Sequence, residues 1–179
     1  MGIKVITPAS AVLTLAQLRL HVRVIGDPHP DDSLLLENLA AAVQYSEHYT
    51  GRSIGVQTLE LALDAFPAGP IELKQGPVVS IASIKYVDSA GVEQTLASSA
   101  YALDDYGLEQ WAIPVDGWRA TGSVANAVKV RYVAGNLPPA VQSALLLNVT
   151  LLYEELTPQS RKADEESRDN LLNTVKVWG

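Results

Sequence analysis

The side chains in this sequence that could act on a substrate are few and scattered. There are three histidines, His21, His29 and His48. A helical metal site wants two of them four residues apart, and no His-x-x-x-His pair exists; Glu47 and His48 are adjacent, the wrong spacing for two ligands on one helix face. Neighbouring carboxylates include the pairs Asp31/Asp32, Asp104/Asp105 and Glu154/Glu155. Adjacent residues project in different directions, so neighbours in sequence do not make an acid–base dyad. Asp31 and Asp32 read as helix-capping residues. A calcium loop built on Asp104/Asp105 would need further oxygen ligands at set spacing, and Tyr106-Gly107 follows instead. A hydrolase would need two carboxylates from distant segments to converge, as in a glycosidase, and no spacing here brings them together. The chain has no cysteine, which excludes a thiol nucleophile, a thiolate metal site and a disulfide framework. No serine lies in Gly-x-Ser-x-Gly, and no glycine run matches a phosphate-binding loop. No catalytic residue, no metal ligand and no cofactor is therefore expected. One recognition chemistry is represented: Tyr101, Tyr106, Trp111 and Trp118 could line a sugar-binding groove, or could pack the core and edges of a small sheet.

Composition narrows the classes further. A hydrophobic content of 47% in 179 residues is ample for a core. The formal net charge is −7, and the thirteen Lys and Arg residues nowhere gather with aromatics, so the footprint of a nucleic-acid binder is missing. Acidity would still suit a protein that only lets DNA pass. The first residues show no secretory leader, with one lysine, Lys4, and no long apolar run. The longest apolar stretch, Ala140 to Leu152, carries Gln142, Ser143, Asn148 and Thr150 and falls well short of the roughly 20 residues of a membrane span. A buried helix is expected there, and no membrane partner.

The elements that would position all this begin with a helical pair. Residues 1–13 read as partly extended. Thr14 and Gln17 have the spacing of a capping box, with Leu13 and Leu18 as its hydrophobic staple. Leu15, Leu18 and Val22 form the stripe of a short helix, ended by Gly26-Asp27-Pro28-His29-Pro30. A longer helix starts at Asp31-Asp32-Ser33. Its face is Leu35, Leu39, Ala42, Ser46 and Tyr49, widened by Leu36, Ala40 and Val43, and Gly51 closes it as a left-handed cap.

The period then drops to two. Leu59, Leu61 and Leu63 alternate with Glu60, Ala62 and Asp64, and Ile71 to Lys74 alternates again. Val78 to Val87 is β-branched, and Asp88-Ser89-Ala90-Gly91 reads as a hairpin loop into Val92 to Leu96. Tyr101 to Leu103 and Gln110 to Ile113 are weaker strands, and Asn126 to Ala134 is a strong one. Helix resumes after Pro138-Pro139 with a nearly all-apolar segment to Leu156. Thr157 to Ser160 breaks it, and Arg161 to Asn170 is charged with mixed sign, a solvated helix or an arm. The end turns apolar again with Leu171, Leu172, Val175, Val177 and Trp178. Such a tip must dock, either on its own domain or on a neighbouring subunit or partner.

The order of these elements resembles the head–tail connector family of tailed bacteriophages, also called adaptor or head-completion proteins. Thr14 to Val24, Asp31-Asp32-Ser33-Leu34 and Tyr45 to Arg52 carry the resemblance at the start. Gln57 to Leu61, Asp64 to Pro67, Ile71 to Leu73, Pro77-Val78, Val87-Asp88 with Gly91, Val130 to Gly135 and Pro138 continue it, up to the helix ending near Tyr153-Glu154. The resemblance implies a non-enzymatic virion protein at the head–tail interface, made in the host cytoplasm. It implies a ring of about a dozen copies, closed by head-to-tail contacts, with DNA passing through the lumen. The implied partners are further copies of the chain, the portal protein and a tail-side stopper or tail-completion protein.

The expected fold class is α+β: a helical domain from residues 1–55 and 135–179, with an inserted small antiparallel β-sandwich or barrel-like domain at 56–134. The expected partner-binding residues are Leu171, Leu172, Val175, Val177 and Trp178, with the segment anchoring the ring to the portal and removable without loss of fold. The alternatives are a carbohydrate- or receptor-binding virion module on the aromatic β part, and the hydrolase with converging carboxylates.

Overall fold

The computed structural model of the chain describes residues 2–10 and 12–177. The fold is α+β, with four α-helices and eight strands in two antiparallel sheets among the described residues. The chain divides into a sheet unit, 2–10 with 55–136, and a helical unit, 12–54 with 137–177, taken over those residues.

In the sheet unit, a five-stranded sheet runs in the order β1 (Gly2–Thr7), β2 (Gln57–Leu63), β8 (Val128–Ala134), β4 (Val78–Val87), β5 (Glu93–Thr95). A three-stranded sheet runs β3 (Ile71–Glu72), β7 (Trp111–Pro114), β6 (Tyr101–Asp104). Neither closes into a barrel. The period-two pattern sets which side is buried: Leu59, Leu61, Val128, Val130 and Tyr132 point into one core, while Lys129 and Arg131 stay on the other face. Ile71 and Ala112 from the smaller sheet join that core. Tyr132 sits at its centre, opposite Leu59 on β2 and Ile81 on β4, and its hydroxyl donates to the Lys74 carbonyl at 2.7 Å. Burial pushes the Tyr132 phenol well above its ordinary pKa. The extended N-terminal segment is a strand in register with β2, Gly2 against Ala62 through Thr7 against Thr58. It therefore lies in the sheet unit, whereas the sequence grouped it with the helices.

The 115–127 connection is pinned by backbone contacts. The Gly122 N–H donates to the Val87 carbonyl at 2.9 Å, and a Cβ at Gly122 would lie 2.7 Å from the Asp88 carbonyl oxygen. Backbone cannot swing away as a side chain does, so Gly122→Ala is expected to destabilise the sheet unit by about 1–3 kcal/mol. Urea denaturation checks this.

In the helical unit, α1 (Leu15–His21) begins with the capping box in place. The Gln17 N–H donates to Thr14 Oγ1 at 3.2 Å, and the Thr14 N–H donates to Gln17 Oε1 at 2.8 Å. Leu13 and Leu18 are both buried beside it. Helix α2 (Asp32–Thr50) ends at Gly51, whose φ of 69° is the left-handed cap that glycine accommodates without strain. Its buried face is Leu35, Leu39, Ala42, Ser46 and Thr50; Leu36 and Ala40 lie outside. The α2 hydroxyls at that face bond back along the helix, Ser46 Oγ to the Ala42 carbonyl and Thr50 Oγ1 to the Ser46 carbonyl. Helix α3 (Pro139–Tyr153) contributes Val141, Ala144, Leu145 and Val149 to the same core. The charged segment forms α4 (Pro158–Asn173), an ordered helix capped by Thr157, whose Oγ1 accepts the Ser160 N–H.

Candidate assembly surfaces

Several of the residues weighed for chemistry make structural contacts. His21 Nε2 lies 2.9 Å from Thr150 Oγ1, and His29 Nδ1 accepts the Asp31 N–H; His48 is exposed on α2. Among the described residues, no group of three or more His, Asp or Glu side chains is placed to hold a metal. Trp118 stacks flat on Phe66 with centroids 4.8 Å apart and donates its indole N–H to the Gly69 carbonyl. Tyr101 packs against the sheet core and Trp111 is half-buried. Of the four aromatics, only Tyr106 stands in solvent.

The Asp31/Asp32 pair does something other than cap α2. Asp31 occupies the N-cap position with no side-chain cap bond, and its Oδ2 accepts the Tyr153 hydroxyl at 2.7 Å. That bond is the first reason the Tyr153 pKa rises. Asp32 takes the fork of Arg19, 2.7 Å to Nε and 2.5 Å to Nη2, and accepts the His29 N–H. Arg19 Nη1 reaches Asp27 as well, at 2.9 Å. One guanidinium thus ties α1, the Gly26–Pro30 turn and the start of α2 together. Just before this turn Ile25 is 93% exposed, and α1 presents Leu20, 80% exposed.

The Arg19 hydrogen bonds, chiefly, draw the Asp32 carboxyl down from 3.8 to about 2. The unfolded chain therefore takes up the Asp32 proton first as pH falls, and in that window stability rises with pH. The contribution is whole above about pH 4 and is lost as pH falls through about 2. Denaturation midpoints of the parent and Asp32→Asn, measured against pH, are expected to converge as that pH is approached.

A second cluster joins α2 and α4. The Arg168 guanidinium lies 4.1 Å above the Tyr45 ring centroid. It donates to the Tyr45 hydroxyl at 2.8 Å, Asn148 Oδ1 at 3.2 Å and Asp169 Oδ1 at 2.8 Å. Burial is the main reason the Tyr45 pKa is raised. Tyr49 donates its hydroxyl to Asn173 Oδ1 and carries the Lys176 ammonium 4.2 Å over its ring. Beside this cluster a groove of about 230 Å³ is lined by Ala41, Tyr45, Leu151, Leu152, Arg161 and Arg168, with Asn148 and Glu165 completing it.

The structure puts most of the apolar C-terminal residues on their own unit. Leu172 is completely buried in the helical core, and Leu171 and Val175 pack against that core. Val177 is half-buried, and its N–H donates to the Thr50 carbonyl at 3.0 Å. Trp178 lies outside the described residues. What spacing alone did not flag is the β6–β7 loop: Tyr106 is fully exposed and Leu108 is 70% exposed. The signal was present as two large apolar residues around Gly107, in a segment too polar to be strand.

No protein-family model and no curated protein matches the chain. Solved structures do. The neck of an empty gene transfer agent particle, computed with C6 symmetry, contains a chain matching at a TM-score of 0.82. The virion of a native gene transfer agent particle matches at 0.78, and the neck of the native particle, computed with C12 symmetry, at 0.72. Each is 21% identical and covers 100% of this chain and 97% of its counterpart. At that identity the likeness establishes a shared fold, both units included.

Proposed function

We propose that the chain is a structural subunit of the neck of a tailed-phage-like particle, a member of the head–tail connector group. In this reading, copies form a ring between portal and tail, and DNA passes through the lumen without sequence-specific contact. The observation that carries the proposal is the end-to-end match of both units to neck structures. The C12 symmetry of one of those necks agrees with a ring of about a dozen copies, in which one surface patch meets a different patch on the next copy. The acidic, non-catalytic character of the sequence fits the same role. The portal on one side and a stopper or tail-completion protein on the other are the partners this reading assigns.

The C-terminal turn keeps a place in it as the element that fixes α4, through Leu171, Leu172 and Val175. Deleting residues 171–179 is thus expected to cost fold stability together with attachment, because Leu172 is a core residue. The sugar-binding alternative loses its main support, since Trp118 is committed to Phe66 and Gly69.

The test is assembly without the chain. Heads and tails are expected to accumulate separately when its gene is inactivated, and to join when the chain is supplied. Complete particles formed in its absence would reject the proposal.

A further inference from the structure

We propose that the β6–β7 loop of one copy seats in the α2–α3–α4 groove of the next, forming a ring-closing contact. The inference rests on the neck reading and names the surfaces it would use.

The loop is built to be inserted. Asp104 Oδ1 accepts the Tyr106 N–H at 3.2 Å, which turns the chain at its tip. Tyr106 and Leu108 then stand in solvent with Gly107 between them. The Asp104 turn restrains the loop, which lowers the freedom it must lose on binding, and aromatic anchors of this kind dominate interface energies. Three carboxylates, Asp104, Asp105 and Glu109, flank the tip with no base among them. The receptor must therefore be apolar at its floor and basic at its rim.

The groove in the helical unit has that character. Leu151, Leu152 and Ala41 give it apolar walls, and Leu152 is 49% exposed. Arg161 supplies the available positive charge on the lining, while Arg168, 11% exposed, is already paired with Asp169. Arg161 donates to the Leu151 carbonyl at 3.1 Å and is in no ion pair among the described residues, so it is open to a carboxylate. Glu165 is the one acidic residue on the lining. The volume is that of roughly eight waters, enough for a side chain or two and too small for a helix. The sheet unit's own opening, lined by Asp64, Ala65 and 121–125, has no base and does not complement the loop. Loop and groove are different surfaces of one chain, the arrangement that generates rings. A single loop is a weak contact, and closure of the ring multiplies it.

The absence of cysteine makes the test clean. Leu108→Cys and Leu152→Cys variants are purified, mixed and mildly oxidised, and the linked peptides are mapped. Val115→Cys, also exposed in the sheet unit, is the control. A 108–152 linkage between copies, several-fold above 108–108, 152–152 and 115–152, is expected. It should fall when Arg161→Glu is added to the Leu152→Cys copy, and recover when the Leu108→Cys copy also carries Asp105→Arg. Linkage no greater than the control, or unmoved by the charge changes, overturns the inference. Particles that need the chain for head–tail joining while the 108–152 link fails would discard this contact and leave the neck reading standing. Particles that assemble without the chain would remove the neck reading itself.

Discussion

Leu172→Ala is expected to lower the stability of the helical unit by about 2–5 kcal/mol, the range for a Leu deleted to Ala in a packed core. The side chain is fully buried in the core cluster that also holds Leu35, Leu39 and Val149, and removing it leaves a void that α4 cannot fill without moving. Stability of a whole domain is about 5–15 kcal/mol, so the variant should approach half-unfolded under conditions where the parent is intact. Leu152→Ala serves as the comparison, because Leu152 is half exposed and surface changes are usually within about 0.5 kcal/mol. Urea unfolding followed by far-ultraviolet circular dichroism separates the two. If Leu172→Ala proved as mild as Leu152→Ala, the C-terminal turn would not be part of the core, and the segment would be free to act as a detached arm.

The second large effect belongs to the sheet unit. Tyr132→Ala should cost about 3–5 kcal/mol, as for other large aromatics cut to alanine. The ring is the central side chain between β2 and β4. Its hydroxyl also donates to the Lys74 carbonyl, a bond the substitution removes. Tyr132→Phe isolates that bond and is expected to lose only about 1 kcal/mol. Equal losses for Ala and Phe would mean that the hydroxyl, not the ring, holds the site. Because burial raises the phenol pKa, neither difference should change with pH between neutral and mildly alkaline conditions.

Local signals carried much of the fold. The Thr14/Gln17 box, Gly51 and the alternation around Leu59 and Val130 act within a few residues, and each stands where its spacing placed it. The pairing of Gly2–Thr7 with Gln57–Leu63 was not legible, because strand pairing across such a separation leaves no local periodicity. The burial of α4 was hidden for another reason. One turn before Leu172 stands Arg168, and before that Glu165, so no apolar stripe marks the inward face. Arg168 covers Tyr45 with its guanidinium and satisfies three polar groups there, a role that hydropathy cannot register. Asp31 and Asp32 have cap-like identities, yet the Arg19 fork and the Tyr153 hydroxyl claim them; competition among distant donors is invisible in a local motif. Tyr106 was named from the sequence only as one of four aromatics, and Leu108 not at all; that both stand exposed on one loop emerged only once the strands around them were placed.

The most direct measurement is the native mass of the purified chain at rising concentration, alone and with the portal protein proposed as its partner, with electron microscopy of the products. A closed ring of about a dozen copies, formed at least on the portal, is predicted. A chain that remains a single copy under every condition, portal included, would contradict the idea that its surfaces exist to join it to itself.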